Sequence, residues 1–157
     1  MSALPSMHVE FDASDVLAAI ERFGAEWTGQ ALEDGLAAGA MLVVNDAKRI
    51  VHKVTGTLSR SLHVGGHTEL ARDFAGSQGY SDVGGNRHDA LTAEIYAGTN
   101  LVYAAREEFG FFGADKLGRV YSFSGHPYLR PAFDLNAERV PEAAAKVFDQ
   151  ARARAGL

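Results

Sequence analysis

Residues 25–51 constrain this chain more than any other stretch. Leu32, Leu36, Val43, Ala47 and Ile50 recur at spacings of 4, 7, 4 and 3 residues. That rhythm lays apolar side chains along one face of an α-helix. Gly35 and Gly39 interrupt it, each at a cost of about 1 kcal/mol relative to alanine. A glycine in mid-helix marks the close approach of another backbone. The two candidates are the C-terminal helix and a neighbouring subunit.

A second helix precedes the long one. Asp12 or Ser14 offers an N-cap, Val16, Leu17, Ile20 and Phe23 give the apolar positions, and Gly24 offers a C-cap. A third closes the chain, with Val140, Ala144, Val147, Phe148 and Ala151 as its stripe. Pro141 must either start that helix in its first turn or kink a continuous one. Asn136 offers a loose cap. Between these lie strand candidates: weak "MHVEF" at 7–11, "SLHV" at 61–64, "ALTAEIYAG" at 90–98 and "RVYSF" at 119–123. In the third, Leu91, Ala93, Ile95 and Ala97 face one way and Thr92, Glu94 and Tyr96 the other. Helices, then strands, then a helix predict an α+β fold: a small, mainly antiparallel sheet with the last helix packed on it. The 157 residues suit one domain with a real core. Two glycine-punctuated segments read as loops. One is a flexible insertion at about 65–89. The other is "FGFFGADKLG" at 109–118, which displays Phe111 and Phe112 as an expected partner surface.

Composition removes several classes. There are no cysteines, so disulfides and thiolate metal sites are excluded. A net charge of −5 argues against affinity built on phosphate neutralisation. It suits a wall past which DNA slides. No apolar run approaches the ~20 residues that cross a bilayer, and residues 1–12 are not expected to be a signal peptide.

Chemistry is sparse in the local motifs. Six histidines invite a metal, but no His-x-x-x-His spacing exists. His52, His63 and His67 are near in sequence, but His63 and His67 would lie ~13 Å apart on a strand, and His8, His88 and His126 are scattered. No metal or cofactor is expected. Ser81, Asp82, His88 and Asp89 share a glycine-rich loop, which does not hold a nucleophile against its base. Adjacent Glu107 and Glu108 point about 100° apart on a helix and cannot act as an acid/base pair. "HKVTGTLSRSL" at 52–62 carries one glycine between a helix and a strand, the reverse of a phosphate-binding loop. It reads instead as a helix stop and restart. Thr55-Gly56 breaks the helix, Thr57 or Ser59 caps the next turn, Leu58 and Leu62 anchor it, and Arg60 points outward.

Three blocks taken together resemble a known family. "KVTGTLSRSL" at 53–62 has its Thr55, Gly56, Leu58 and Ser61. "AGTNLVYAAREEFG" at 97–110 has Tyr103, Ala104, Glu108, Phe109 and Gly110. "GHPYLRPAFD" at 125–134 has Pro127, Leu129, Pro131 and Ala132. In this order they are similar to the phage HK97 gene product 10 type, the tail-completion or head–tail joining neck proteins. The usual Ala-Pro ahead of the first block is His52-Lys53 here. The resemblance implies a structural virion protein and no enzyme. It would form a homo-oligomeric ring, a hexamer, between the head connector or stopper and the tail terminator or tail tube. Double-stranded DNA would pass through without specific binding, and no membrane is involved. Localisation would be the virion neck, after assembly in the host cytoplasm. The alternatives are a tail-assembly chaperone absent from the virion and a small hydrolase using the 79–89 loop. Leu58, Leu62, Leu129 and Phe133 are expected to hold the fold, as are Tyr103 and Phe109 against the sheet and buried Tyr128. Arg60, Glu107, Glu108, Phe111, Phe112 and Arg130 are expected at subunit interfaces, since ring interfaces favour aromatic residues and arginine.

Overall fold

The structure is a computed structural model that describes residues 9–10, 12–65, 87–88, 93–99 and 101–156. Its spine is the long helix α2, Ala25–Ile50. Helix α1, Ala13–Phe23, precedes it. The Asp12 carboxylate accepts from the Ser14 amide and hydroxyl and caps α1. After α2 come the short helix α3, Thr57–Ser61, and the strand β1, His63–Gly65. Strands β2, Arg87–His88, β3, Ala93–Glu94, and β4, Tyr96–Gly98, follow. Next are α4, Ala104–Phe109, β5, Phe111–Ala114, and β6, Val120–Phe123. Helices α5, Leu129–Leu135, and α6, Arg139–Ala155, end the described chain.

The mid-helix glycines of α2 meet α6. A Cβ on Gly35 would lie 2.7 Å from the Ala144 carbonyl oxygen, and one on Gly39 would lie 2.7 Å from Val140 Cγ1. Two elements that touch at 35 against 144 and at 39 against 140 run antiparallel. Of the two explanations for these glycines, packing by the C-terminal helix is the one observed. The helix therefore lies chiefly along α2 rather than on the strands. Val140, Ala144 and Phe148 make its buried stripe, at the i, i+4, i+8 spacing of one helix face. Pro141 and Pro131 both fall in the first turn of their helices, where no intrahelical hydrogen bond is lost.

One core group joins Val43, Val44, Ala47, Val51, Leu58, Leu62, Ala104, Tyr128, Ala132 and Val140. A second joins Val16, Ala19, Ala31, Leu32 and Phe148. Ala19 is fully buried and Leu17 is exposed, so the buried face of α1 is rotated from the expected one. A buried polar joint ties α2 to the last two helices. Asn136 Nδ2 donates to Asp46 Oδ2 at 2.7 Å and to the Ala132 carbonyl at 2.8 Å. Arg49 pairs with the other Asp46 oxygen. Buried polar groups of this kind persist only when each is partnered. Asn136 is thus a lock between helices rather than a side-chain cap.

The fold is mixed α+β as expected, and among the described residues its antiparallel strands form three two-stranded pairs: β1 with β4, β2 with β3, and β5 with β6. The alternation expected over 90–98 holds from Ala93 to Ala97, but the run breaks at Ile95, and its halves pair with different partners. The stretch 109–118 is not wholly a loop. Phe111–Ala114 pairs with Val120–Phe123, register Phe111 to Phe123 and Ala114 to Val120. Asp115 closes the turn, its amide donating to Arg119 O at 3.0 Å. The strand expected at 7–11 is absent at Val9 and Glu10, and its other residues lie outside the described ones. Most of the 65–89 insertion does too, as do Ser81, Asp82 and Asp89. No helix of the described residues is long and apolar enough to cross a membrane.

Candidate functional site

The three sequence blocks meet in space. Helix α2 ends at Ile50, and the chain passes His52 to Gly56, which adopts φ 74° ahead of α3. Leu58 and Leu62 are buried as expected. Ser61 is buried too. Its hydroxyl bonds the Leu58 carbonyl at 2.8 Å and the Thr99 hydroxyl at 2.7 Å. Thr99 Oγ1 in turn accepts from the Leu101 amide at 3.2 Å. Ser61 therefore joins the first block to the second. Neither proposed capping hydroxyl of α3 caps it: Ser59 reaches back to the Lys48 carbonyl at 3.2 Å, and Thr57 pairs with Thr55 at 3.0 Å.

Glu108 joins the second block to the third. Its carboxylate accepts from the backbone amides of Tyr128, Leu129 and Arg130 at 2.7, 2.8 and 2.9 Å. These are the first free N–H groups of α5, which no local side chain caps. A carboxylate there is favoured by the helix dipole as well. Glu108 is buried, so the expectation that it faces a neighbouring subunit is corrected. It is a cap supplied from a distant segment.

Next to it, α4 and the segment before α5 come unusually close. A Cβ on Gly110 would sit 2.4 Å from Phe123 O, and one on Gly125 would sit 2.5 Å from Gly110 N. Both have positive φ, 79° and 77°, so two backbones can touch only because both residues are glycine. The contact lets the His126 amide donate to the Glu107 carbonyl at 2.6 Å. With its backbone held there, His126 Nδ1 lies 2.9 Å from Glu107 Oε1. His52 Nδ1 lies 4.0 Å from the same oxygen, and the two imidazole rings are 4.8 Å apart. One donor atom from each of the three residues falls within 4.8 Å of the others. A shallow recess adjoins them, lined by His52, Thr55, Gly56, Tyr103 and Glu107 among others.

The remaining expected interface residues are dispersed. Arg60 is exposed and reaches the Thr55 carbonyl at 3.4 Å. Arg130 is exposed and its amide donates to Glu108. Phe111 is half-buried beneath the Arg106 guanidinium, 4.7 Å from the ring centre, while Phe112 is 80% exposed. Tyr103 and Phe109 are each 45% exposed and do not pack into a sheet as expected. Ala104, Tyr128 and Ala132 are buried. Leu129 and Phe133 pack half-buried against the core, Pro131 is half-buried, and Pro127 is exposed.

Sequence reasoning missed His52, Glu107 and His126 as a group. Motif spacing finds ligands that share an element, and these come from three. The available signal was that one histidine stands in or beside two of the blocks and Glu107 stands in the other. No family model matches this chain, and neither does any curated protein or solved structure.

Proposed function

We propose that this chain is a ring-forming structural subunit of a tailed phage or phage-like particle, set at the neck between head connector and tail around the DNA channel. The observation that carries this reading is the β5–β6 hairpin. It packs chiefly on itself, and it exposes Phe112, Leu117 and Val120 at 80, 78 and 70%. A two-stranded hairpin is marginal alone in water, and three large apolar side chains on it form a surface suited to a partner. The partner is a second copy of this chain. Repeated head to tail, such an arm closes a ring when the rotation per subunit closes. The three resembling blocks supply the rigid body that carries the arm. The net charge of −5 suits a channel wall that does not hold DNA.

The test is the oligomeric state of the purified chain, by light scattering and negative-stain microscopy, together with mass spectrometry of finished particles. Closed rings, and the chain present in particles, are expected. A protein that stays monomeric at high concentration and is missing from intact particles overturns the reading in favour of an assembly chaperone.

A further inference from the structure

We infer that His52, Glu107 and His126 form a binding site for a borderline divalent transition metal of the zinc type. The inference is independent of the ring proposal. Two imidazole nitrogens and a carboxylate are a donor set that zinc takes in sites with one position left open. Hard ions such as magnesium prefer all-oxygen shells.

The geometry is close to what a metal needs. Zinc bonds nitrogen and oxygen at about 2.0–2.2 Å, so tetrahedral donors lie about 3.4 Å from one another. The Glu107–His126 pair stands at 2.9 Å and the Glu107–His52 pair at 4.0 Å, on either side of that value. Both imidazoles are about half exposed, at 56 and 52%, so small ring rotations bring the three donors onto one ion. The backbones need not move. That of His126 is fixed by its bond to the Glu107 carbonyl, and His52 follows directly on the C-cap of α2.

Both Nδ1 atoms face the same Glu107 oxygen, so the three donors converge on one point. The recess that His52 and Glu107 line together with Thr55 and Tyr103 lies beside these donors. The ion would bridge the end of α2, helix α4 and the segment before α5, stapling the three blocks together.

The experiment titrates zinc chloride into the full chain by calorimetry, with magnesium chloride as the comparison, and repeats it on His52→Ala and His126→Ala. Melting curves of the metal-free proteins establish that both variants fold. The expected result is one zinc per chain, no response to magnesium, and affinity lowered about tenfold or more by either substitution. Cobalt(II) should give the visible spectrum of a four- or five-coordinate ion in the wild type and lose it in both variants. Absence of zinc binding in the wild type, or binding of equal strength in both folded variants, overturns the assignment. Should His126→Ala fail to fold, His52→Ala decides alone, since His52 lies outside every regular element.

Discussion

The α2–α6 contact and the β5–β6 hairpin are opposite solutions to the same shortage of side-chain surface. In the first, glycines remove side chains so that two helices touch backbone to backbone, and Gly35, Gly39, Val140 and Ala144 are buried. In the second, large apolar side chains stand on a two-stranded ribbon and remain in water. Burial of apolar area is worth roughly 25 cal/mol per Å², so the helix pair collects its stabilisation within the monomer. The hairpin forgoes it until something covers Phe112, Leu117 and Val120. In the proposed ring, stability and assembly are thereby separated in space, and substitutions should separate them too.

The largest effect is expected at Gly35. Leucine there forces a Cβ to within 2.7 Å of the Ala144 carbonyl oxygen, a backbone atom that cannot swing away. Overpacking of this kind costs about 3 kcal/mol, read as a lower urea midpoint with an unchanged slope. Gly39→Leu should cost less, because its nearest obstacle, Val140 Cγ1, belongs to a side chain. If Gly35→Leu is the milder of the two, the close contact between helices is not what those glycines serve.

Next comes Glu108→Ala. It strips the acceptor from three amides at the start of α5. Hydrogen bonds to a charged group contribute about 1.5–3 kcal/mol each in favourable cases, but water reaches part of this site once the side chain is gone. A net loss of about 2 kcal/mol is expected, with Glu108→Gln retaining part of it. A variant as stable as the wild type in thermal denaturation would refute the capping role.

The helical half was legible in the chain because its information is local and periodic. Val43, Ala47, Val140, Ala144 and Phe148 announce their face by spacing alone, and Gly35 and Gly39 announced a backbone contact. Pairings across long separations were not legible. Phe111–Ala114 looked like loop because Gly110, Gly113 and Gly118 punctuate it, and its strand character comes from a partner across a turn. Glu108 looked like a surface charge because nothing in "REEFG" says that the amides of 128–130 will arrive beside it. The His52–Glu107–His126 group was invisible for the same reason. Of the expected interface residues, only Phe112 combines strong exposure with a place on an unsupported element.

Phe112→Ser probes the other side of the comparison. The side chain is 80% exposed, so the monomer should change by no more than about 0.5 kcal/mol. Sedimentation or light scattering should show rings lost or weakened at a concentration where the wild type is fully assembled. Arg60→Glu is expected to do less, since a rim charge contributes little once screened. Rings that survive Phe112→Ser but not Arg60→Glu would move the interface from the hairpin to the first block.

The smallest effect is expected from acid acting on the hairpin turn. The Asp115 carboxyl is held below its usual value of 3.8, first by the Arg119 backbone amide, with burial the next largest influence and opposing it. The Arg119 side chain at 2.6 Å, the Leu117 amide at 2.9 Å and the Tyr121 hydroxyl at 3.2 Å add to it. A carboxyl whose value is depressed by folding stabilises the folded form fully above 3.8 and loses that contribution as pH falls through its folded value. The hairpin should therefore loosen only in acid below about pH 3.8, and Asp115→Asn should remove that dependence. Tyr121 ring resonances and the amides of Leu117 and Arg119 would report it. The arm packs chiefly on itself, so the global melting temperature of Asp115→Asn at neutral pH should match the wild type. A lowered melting temperature would mean that the arm and the helical core share stability after all, and the contrast between the two regions would fail.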